Sequence, residues 1–469
     1  MKNILILNLP GPVLKAGSRW YNTVNSDALI RYYPYPWFMG YLSSLLKVNN
    51  FDVDFKDAVA MQWSNEKSKS YVESINPKYL ICEPTWVSSV TDQVFLSSLD
   101  PNIIKIAVGN FATNFPDRCL NVGVDYVVIG EYEFSILEFL KSESKYLPVN
   151  FFSQSKKEYR FPELVNDLDI FPFPDRDGTP IRFFNEPSSF GVNVIMVSSR
   201  GCRLRCEFCN VESLYGKHSY RMRSAKNVVD EMEYLKNHYQ FDEVYFDDDN
   251  MAANKKHLIE ICQEIVTRKI NIPWLCMGDG LIDDETLDWL AKAGCRTYKF
   301  GLEHFDPAVL QAIPKPLRPE RMKAIIAKCK ALGMRVYVNL IVGLPQSTRE
   351  KDMAMIREVI SLRPNMLQFG IATPYPGTVF NRKAHENGWL NVEDVTKYDV
   401  TGGSVVSYPD YSADEINEVY FQGKQMWYRH VLLHQPATAL FYIRSELKRE
   451  GVIMSIKKFV KYLLRALQS

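Results

Sequence analysis

Three cysteines, Cys202, Cys206 and Cys209, fall in the run Ser198-Ser199-Arg200-Gly201-Cys202-Arg203-Leu204-Arg205-Cys206-Glu207-Phe208-Cys209. The spacing, C-x3-C-x2-C, puts three thiolates on one short loop. Thiolates ligate iron–sulfur clusters, and close spacing lets one loop supply several corners of a single cube. Three ligands on a four-iron cube leave one iron open, and an open iron can bind and reduce a small molecule. A structural zinc site is the competing reading, with His218 the nearby residue that would close it. Ordinary buried thiols are a third. The remaining cysteines, Cys82, Cys119, Cys262, Cys276, Cys295 and Cys329, are scattered and read as core thiols.

Other polar or turn-forming groups recur behind the cysteine loop. They are Asp247-Asp248-Asp249-Asn250, Gly301-Leu302-Glu303, Gly343-Leu344-Pro345 and Thr373-Pro374-Tyr375-Pro376-Gly377-Thr378. Alone, each is a solvated loop or a turn. Together they follow apolar runs in strict order, and those runs are the elements that must position them. The runs are Val192–Val197, Glu243–Phe246, Pro273–Met277, Thr297–Phe300, Val336–Val342 and Met366–Ala372. Helical stretches with apolar stripes lie between, such as Val228, Met232, Leu235 and Leu258, Ile261, Cys262, Ile265. Six strand–helix units predict a curved, partly open parallel barrel over 191–384. In such barrels the chemistry sits at the carboxyl ends of the strands.

Residues 1–140 carry a second alternation. Strands are expected at Ile4–Leu7, Val53–Phe55, Tyr79–Cys82, Ile103–Val108 and Tyr126–Ile129, with a helix from Phe38 to Lys47. This predicts a Rossmann-like, flavodoxin-like α/β domain, with ligands expected at its loops Glu83-Pro84-Thr85, Gly109-Asn110 and Gly130-Glu131. Residues 141–190 carry Pro148, Pro162, Pro172, Pro174, Pro180 and Pro187 and read as a linker. Residues 385–469 read as largely helical. From Phe441 onward seven basic and two acidic residues give a net +5, with Ile453, Ile456, Val460, Leu463, Leu464 and Leu467 at helical spacing. Such a helix either docks on the protein or lies in a membrane interface.

The bulk numbers fit this plan. A chain of 469 residues holds two or three domains. A net charge of +1 gives no global field for nucleic acid, and 13% aromatic content suits large pockets. Nine cysteines, an odd count in a long chain, argue against a secreted disulfide framework. The start, Met1 to Pro10, lacks a signal-peptide pattern, and no run approaches the ~20 apolar residues of a membrane span. A reduced, cytoplasmic setting is expected.

The cysteine triplet, with Phe208 just before its last member, resembles the radical S-adenosylmethionine (SAM) superfamily. The acidic loop, the Gly-x-Glu, the Gly-Leu-Pro and the Thr-Pro-Tyr-Pro-Gly-Thr segments resemble that family's loops in order. The amino-terminal half resembles the cobalamin-binding domain placed ahead of the barrel in one branch. Pro34-Tyr35-Pro36 with Gly40-Tyr41-Leu42 resembles its first helix entry, Val108-Gly109-Asn110-Phe111-Ala112-Thr113 its Gly-Gly-x-x-Ala-Thr loop, and Gly130-Glu131-Tyr132-Glu133 its Gly-Glu-x-Glu turn. Asn110 stands where the family has its second glycine.

The resemblance implies a [4Fe-4S] cluster on Cys202, Cys206 and Cys209. It implies SAM against Phe208, Asp247, Asp248, Glu303, Gly343 and Pro345, and cobalamin against Thr85, Gly109, Asn110, Phe111, Gly130, Glu131 and Glu133. Glu303 and Tyr375 are the candidate catalytic groups. All seven histidines follow residue 200, and the cobalt-ligating Asp-x-His-x-x-Gly signature is missing. The implied lower face of the corrinoid therefore carries water, an unusual side chain or nothing. Gly278 and Asp279 stand where the family often has a base, which leaves recognition of the SAM carboxylate to Arg200, Arg221 or Arg223, each equally readable as surface charge.

The activity implied is radical C-methylation of an unactivated carbon in a small-molecule or lipid-like substrate, fed by a flavodoxin or ferredoxin. Cyclisation, oxidation or rearrangement on the same scaffold is the first alternative. A non-enzymatic corrinoid carrier is another. A tRNA methylthio transfer enzyme fits poorly, because the first domain holds only Cys82 and Cys119 and charge is balanced. No nucleic-acid partner is expected.

Overall fold

The computed structural model describes residues 4–11, 33–184, 186 and 188–467. Two parallel sheets organise it. The first contains β1 (Ile4–Asn8), β2 (Val53–Asp57), β3 (Tyr79–Cys82), β4 (Ile104–Ala107), β5 (Tyr126–Val128) and β6 (Phe151–Phe152), in the order β2-β1-β3-β4-β5-β6. All neighbours are parallel except β5 and β6. Side chains alternate across a strand, so Leu5 and Leu7 fill one core while Ile4 and Ile6 fill another. Helix α1 (Trp37–Val48) covers the second face, burying Leu42, Leu45 and Leu46.

The second sheet holds β7 (Asn193–Met196), β10 (Glu243–Phe246), β11 (Trp274–Gly278), β12 (Cys295–Glu303), β13 (Arg335–Val342) and β14 (Met366–Ile371). Its order, β14-β13-β12-β11-β10-β7, is sequential and all-parallel, an open curled sheet. Helices α2 (Ala225–His238), α3 (Lys255–Thr267) and α4 (Arg349–Ser361) pack outside it, with the expected stripes fully buried. On the inner side Ile195, Val197, Tyr245 and Leu275 join the core that holds α1, so the two sheets share one hydrophobic interior.

The structure departs from the sequence reading in three places. The proline-rich segment is not wholly irregular: Phe151–Phe152 adds the antiparallel edge strand β6 to the first sheet, where two large apolar side chains are sealed at 0% and 2% exposure. Pro187 lies outside the described residues. The carboxyl-terminal region is largely helical, through α5 (Ala413–His434) and α6 (Pro436–Leu467), but residues 387–412 before them form turns, one 3-10 turn at Val395–Lys397 and two isolated bridges, Leu390–Val406 and Tyr408–Tyr411. Finally, a two-stranded ribbon, β8 (Ser199–Gly201) and β9 (Tyr220–Met222), brackets the cysteine loop. Its polar sequence carries no strand periodicity.

Candidate functional site

The cysteine loop leaves β8 at the carboxyl end of β7. The ribbon holds its two ends together: Gly201 has φ +89°, and a Cβ there would meet the Ser219 carbonyl oxygen at 2.1 Å. Asp248 is fully buried and accepts hydrogen bonds from Ser198 N at 3.0 Å, Ser198 Oγ at 2.7 Å and Ser199 Oγ at 2.5 Å. Asp249 accepts from Gly201 N at 2.8 Å. Asn250 Nδ2 donates to Asp279 at 2.7 Å and reaches Cys202 Sγ at 3.7 Å. The acidic segment after β10 thus builds the cysteine loop. Asp248, expected at SAM, spends its oxygens on that loop instead.

Burial raises all three thiols, Cys206 to about 12 and Cys209 further, with Cys206 and Cys202 both acting on Cys209. The three thiols are thus shielded from water and close enough to feel one another's charge. Among the described residues, no trio of His, Cys, Asp or Glu converges closely enough to hold a single metal ion. Three soft sulfurs on one loop, with no fourth cysteine or histidine beside them in the sequence, are a donor set that fits an iron–sulfur cube with one iron left open.

Glu303 closes β12 at a register shift, in left-handed backbone with φ +59°. Such a conformation is costly for a non-glycine residue and collects at functional sites. Its carboxylate lies 2.6 Å from Lys315 Nζ, which also donates to Gly301 O at 3.0 Å. Both side chains are under 10% exposed. Burial opposes the charge on Lys315, but Glu303 and Cys206 outweigh it and hold the ammonium well above its usual range. Lys315 thus stands beside Glu303 and the Cys206 thiol, and the sequence offered no signal for it. It lies between Pro314 and Pro316 in a loop without periodicity.

Asp352 on α4 organises the next loop. It accepts from Gly343 N at 2.8 Å, Ser347 Oγ at 2.5 Å and Tyr411 Oη at 2.8 Å, and lies 3.1 Å from His304 Nε2. Gly343 has φ +74° and abuts Ile416. Pro345 and Asp247 are buried, and Phe208 is partly buried against the barrel core.

In the first domain, Thr113 links the two expected glycine loops. Its Oγ1 donates to Gly109 O at 2.8 Å and accepts from Gly130 N at 3.0 Å. Both glycines have positive φ, +93° and +73°, and a Cβ on Gly109 would strike the Glu83 carboxylate at 2.5 Å. Thr85 caps the next turn through Ser88 and Asp92. Asn110 is 1% exposed and its Nδ2 has no partner. The same holds for Nε1 of Trp86, also 1% exposed. Buried donors without acceptors are rare and costly, and here they sit in the loops where the resemblance puts a corrinoid. The segment Gly109–Asn114 packs on Val211–Tyr215, directly after Cys209. The residues present therefore fit a bound group between the two sheets. Phe111, 3% exposed, and Tyr375 both join the apolar core of the first domain, with the Tyr375 ring 5.8 Å from that of Trp86. Tyr375 is a wall between domains, not a group open to the barrel.

Glu131 and Glu133 have turned away from that seam. Arg200 binds Glu131 at 3.0 Å and Glu133 at 2.8 Å, and Arg221 across the ribbon binds Glu131 at 2.7 and 2.8 Å. The Arg200 guanidinium is enclosed by the rings of Trp37, Phe38, Tyr41 and Phe171, all within 5.3 Å. Arg223 pairs with Glu231 at 2.5 Å. None of the three arginines is a surface charge, and each is paired with a buried carboxylate of this chain. Arg200 and Arg221 clasp the cysteine loop to the first domain.

Comparison with known proteins agrees with this geometry. Residues 196–359 match the Radical SAM superfamily. The chain is 26% identical to an uncharacterized methyltransferase of Pyrococcus horikoshii over 92% of this chain and 93% of that one. It is 23% identical to the anaerobic magnesium-protoporphyrin IX monomethyl ester cyclase of Cereibacter sphaeroides, over 91% and 71%. Among solved structures, the radical S-adenosylmethionine methyltransferase TsrM from Kitasatospora setae, with cobalamin and a [4Fe-4S] cluster bound, aligns over the whole of both chains with a TM-score of 0.72 at 15% identity. Residues 196–359 thus carry the Radical SAM family match, and the whole chain shares the two-domain fold of TsrM.

Proposed function

We propose that this enzyme is a cobalamin-dependent radical SAM C-methyltransferase acting on an unactivated carbon of a small-molecule or lipid-like substrate. One observation carries the reading. The cysteine loop is clasped by Arg200 and Arg221 to Glu131 and Glu133, so the cluster pocket and the glycine loops of the first domain share one enclosed seam. When bound, the cluster supplies the electron that splits the sulfonium of SAM, and the corrinoid supplies the methyl group.

Cys202, Cys206 and Cys209 hold the cluster, and Asn250 steadies Cys202. Lys315 takes the SAM carboxylate, the role the three arginines leave open. Glu303, paired with Lys315, serves the amino or ribose end and is the candidate catalytic carboxylate. Asp247, Phe208, Gly343 and Pro345 line the rest of the pocket. Thr85, Gly109, Asn110, Phe111 and Gly130 hold the corrinoid, and Trp86 joins them through its unpartnered Nε1. The working division is a cobalamin domain at 1–140, a linker at 141–190, the barrel at 191–384 and a carboxyl-terminal region at 385–469. A flavodoxin or ferredoxin supplies electrons. The described cysteines are free thiols, which suits a reducing cytoplasm.

The test needs no substrate. Protein reconstituted without oxygen with iron, sulfide and hydroxocobalamin is reduced and given SAM carrying a labelled methyl group. The expected result is corrinoid retained through gel filtration and label transferred to it. Loss of corrinoid, or label that stays on SAM, overturns the reading. The similarity to a cyclase favours one alternative, a cyclase, oxidase or rearrangement enzyme. In the same assay it would retain corrinoid and leave the label on SAM.

A further inference from the structure

The last helix carries a surface that the proposed reaction does not use. Gly451 interrupts α6 with φ 77° and ψ 178°, backbone that is essentially confined to glycine. A Cβ there would meet nothing within 4 Å, so the glycine serves the bend rather than a close approach. Before the bend, the helix is tied to the protein. Ser445 is fully buried, accepts from Gly191 N at 3.1 Å and donates to Ser189 O at 3.1 Å, and Lys448 pairs with Asp242.

After the bend, the attachment changes. Ser455 is buried and bonds back to Gly451 O at 2.7 Å. Val452, Ile456 and Val460 recur every four residues and are 62%, 57% and 47% exposed. Three aliphatic side chains on one helical face, all well above a third exposed, form a stripe that no described residue covers. The charge of the segment is one-sided. Lys457, Lys458, Lys461 and Arg465 follow Glu450, and no acidic residue does. Among the described residues, no helix is long and apolar enough to cross a membrane. An aliphatic stripe in a segment whose only charged residues are cationic, on a helix too polar to span, matches an interfacial helix on a negatively charged lipid surface.

We infer that residues 452–467 dock this protein on anionic membrane surfaces, with Val452, Ile456 and Val460 entering the headgroup boundary and the lysines pairing with lipid phosphates. This goes beyond the reaction proposed above and does not depend on it.

The test is co-sedimentation of the full-length protein with vesicles of phosphatidylcholine alone or with 30% phosphatidylglycerol. Binding to the anionic vesicles should be at least tenfold tighter at low salt and fall steeply at 0.5 M salt. Val452→Glu/Ile456→Glu should abolish it while the melting temperature stays unchanged, because both side chains are already in water. Lys457→Glu/Lys458→Glu should weaken it several-fold. Three results would overturn the inference: no binding to anionic vesicles, equal binding to neutral ones, or wild-type binding by the double-glutamate variant. A dimer in sedimentation velocity that the same variant dissolves would assign the stripe to a second copy instead and also overturn it. The assay needs neither cluster nor corrinoid, so its failure leaves the reaction untouched.

Discussion

Lys315 shows what a single buried charge does in this site. Removing one partner of a buried ion pair strands the other and costs about 3–5 kcal/mol. Lys315→Ala should therefore lower the unfolding midpoint and weaken SAM binding at least tenfold, as read by titration calorimetry on the reconstituted protein. Lys315→Arg should restore stability more fully than SAM affinity. Unchanged affinity in the alanine variant would remove Lys315 from the SAM site. The thiols give a second prediction. Burial lifts Cys206 to about 12, against about 8.5 in an unfolded chain. A raised thiol contributes stability that is complete below the unfolded value and is lost as pH climbs toward the folded one. Metal-free protein should thus lose about 1–2 kcal/mol per raised thiol between pH 8.5 and 10, measured by urea unfolding. A flat profile would show that the thiols are not sheltered. Glu303 was legible in the sequence, because Gly-x-Glu ends an apolar run. Lys315 was not, because its role exists only through a contact formed after folding.

At the scale of elements, the ribbon around the cysteine loop does the positioning. Arg200→Met should cost about 3–5 kcal/mol by leaving Glu133 and part of Glu131 buried without a cation. Arg200→Met/Glu133→Gln should cost clearly less than the sum of the single changes, since the pair is coupled. Additive losses in urea unfolding would deny the clasp. All strands of the two sheets except the two-residue β6, and the stripes on α2 and α3, were readable from apolar periodicity. The ribbon was not, because Ser199-Arg200-Gly201 and Tyr220-Arg221-Met222 alternate nothing hydrophobic. The same polarity made Arg200, Arg221 and Arg223 look like either ligand groups or surface charge. They are interior cations matched to buried carboxylates, those of Arg200 and Arg221 lying 67 to 90 residues away in sequence. Asp248 likewise reads as a loop acid, and only its three hydrogen bonds reveal that it holds the cysteine loop.

For the whole molecule, two parallel sheets meet across one interior, and the order of motifs along the chain foretold that order in space. What the sequence concealed was the seam: the segment Gly109–Asn114 against Val211–Tyr215, and Tyr375 against Trp86. Every feature of the site assumes a cube held by three sulfurs with one corner free. The direct measurement is Mössbauer spectroscopy of protein reconstituted without oxygen with iron-57 and sulfide, before and after SAM is added. The account predicts four irons per chain, with one iron site shifting on addition of SAM and the other three unmoved. Zinc at these cysteines, or a cluster whose irons all ignore SAM, would contradict it.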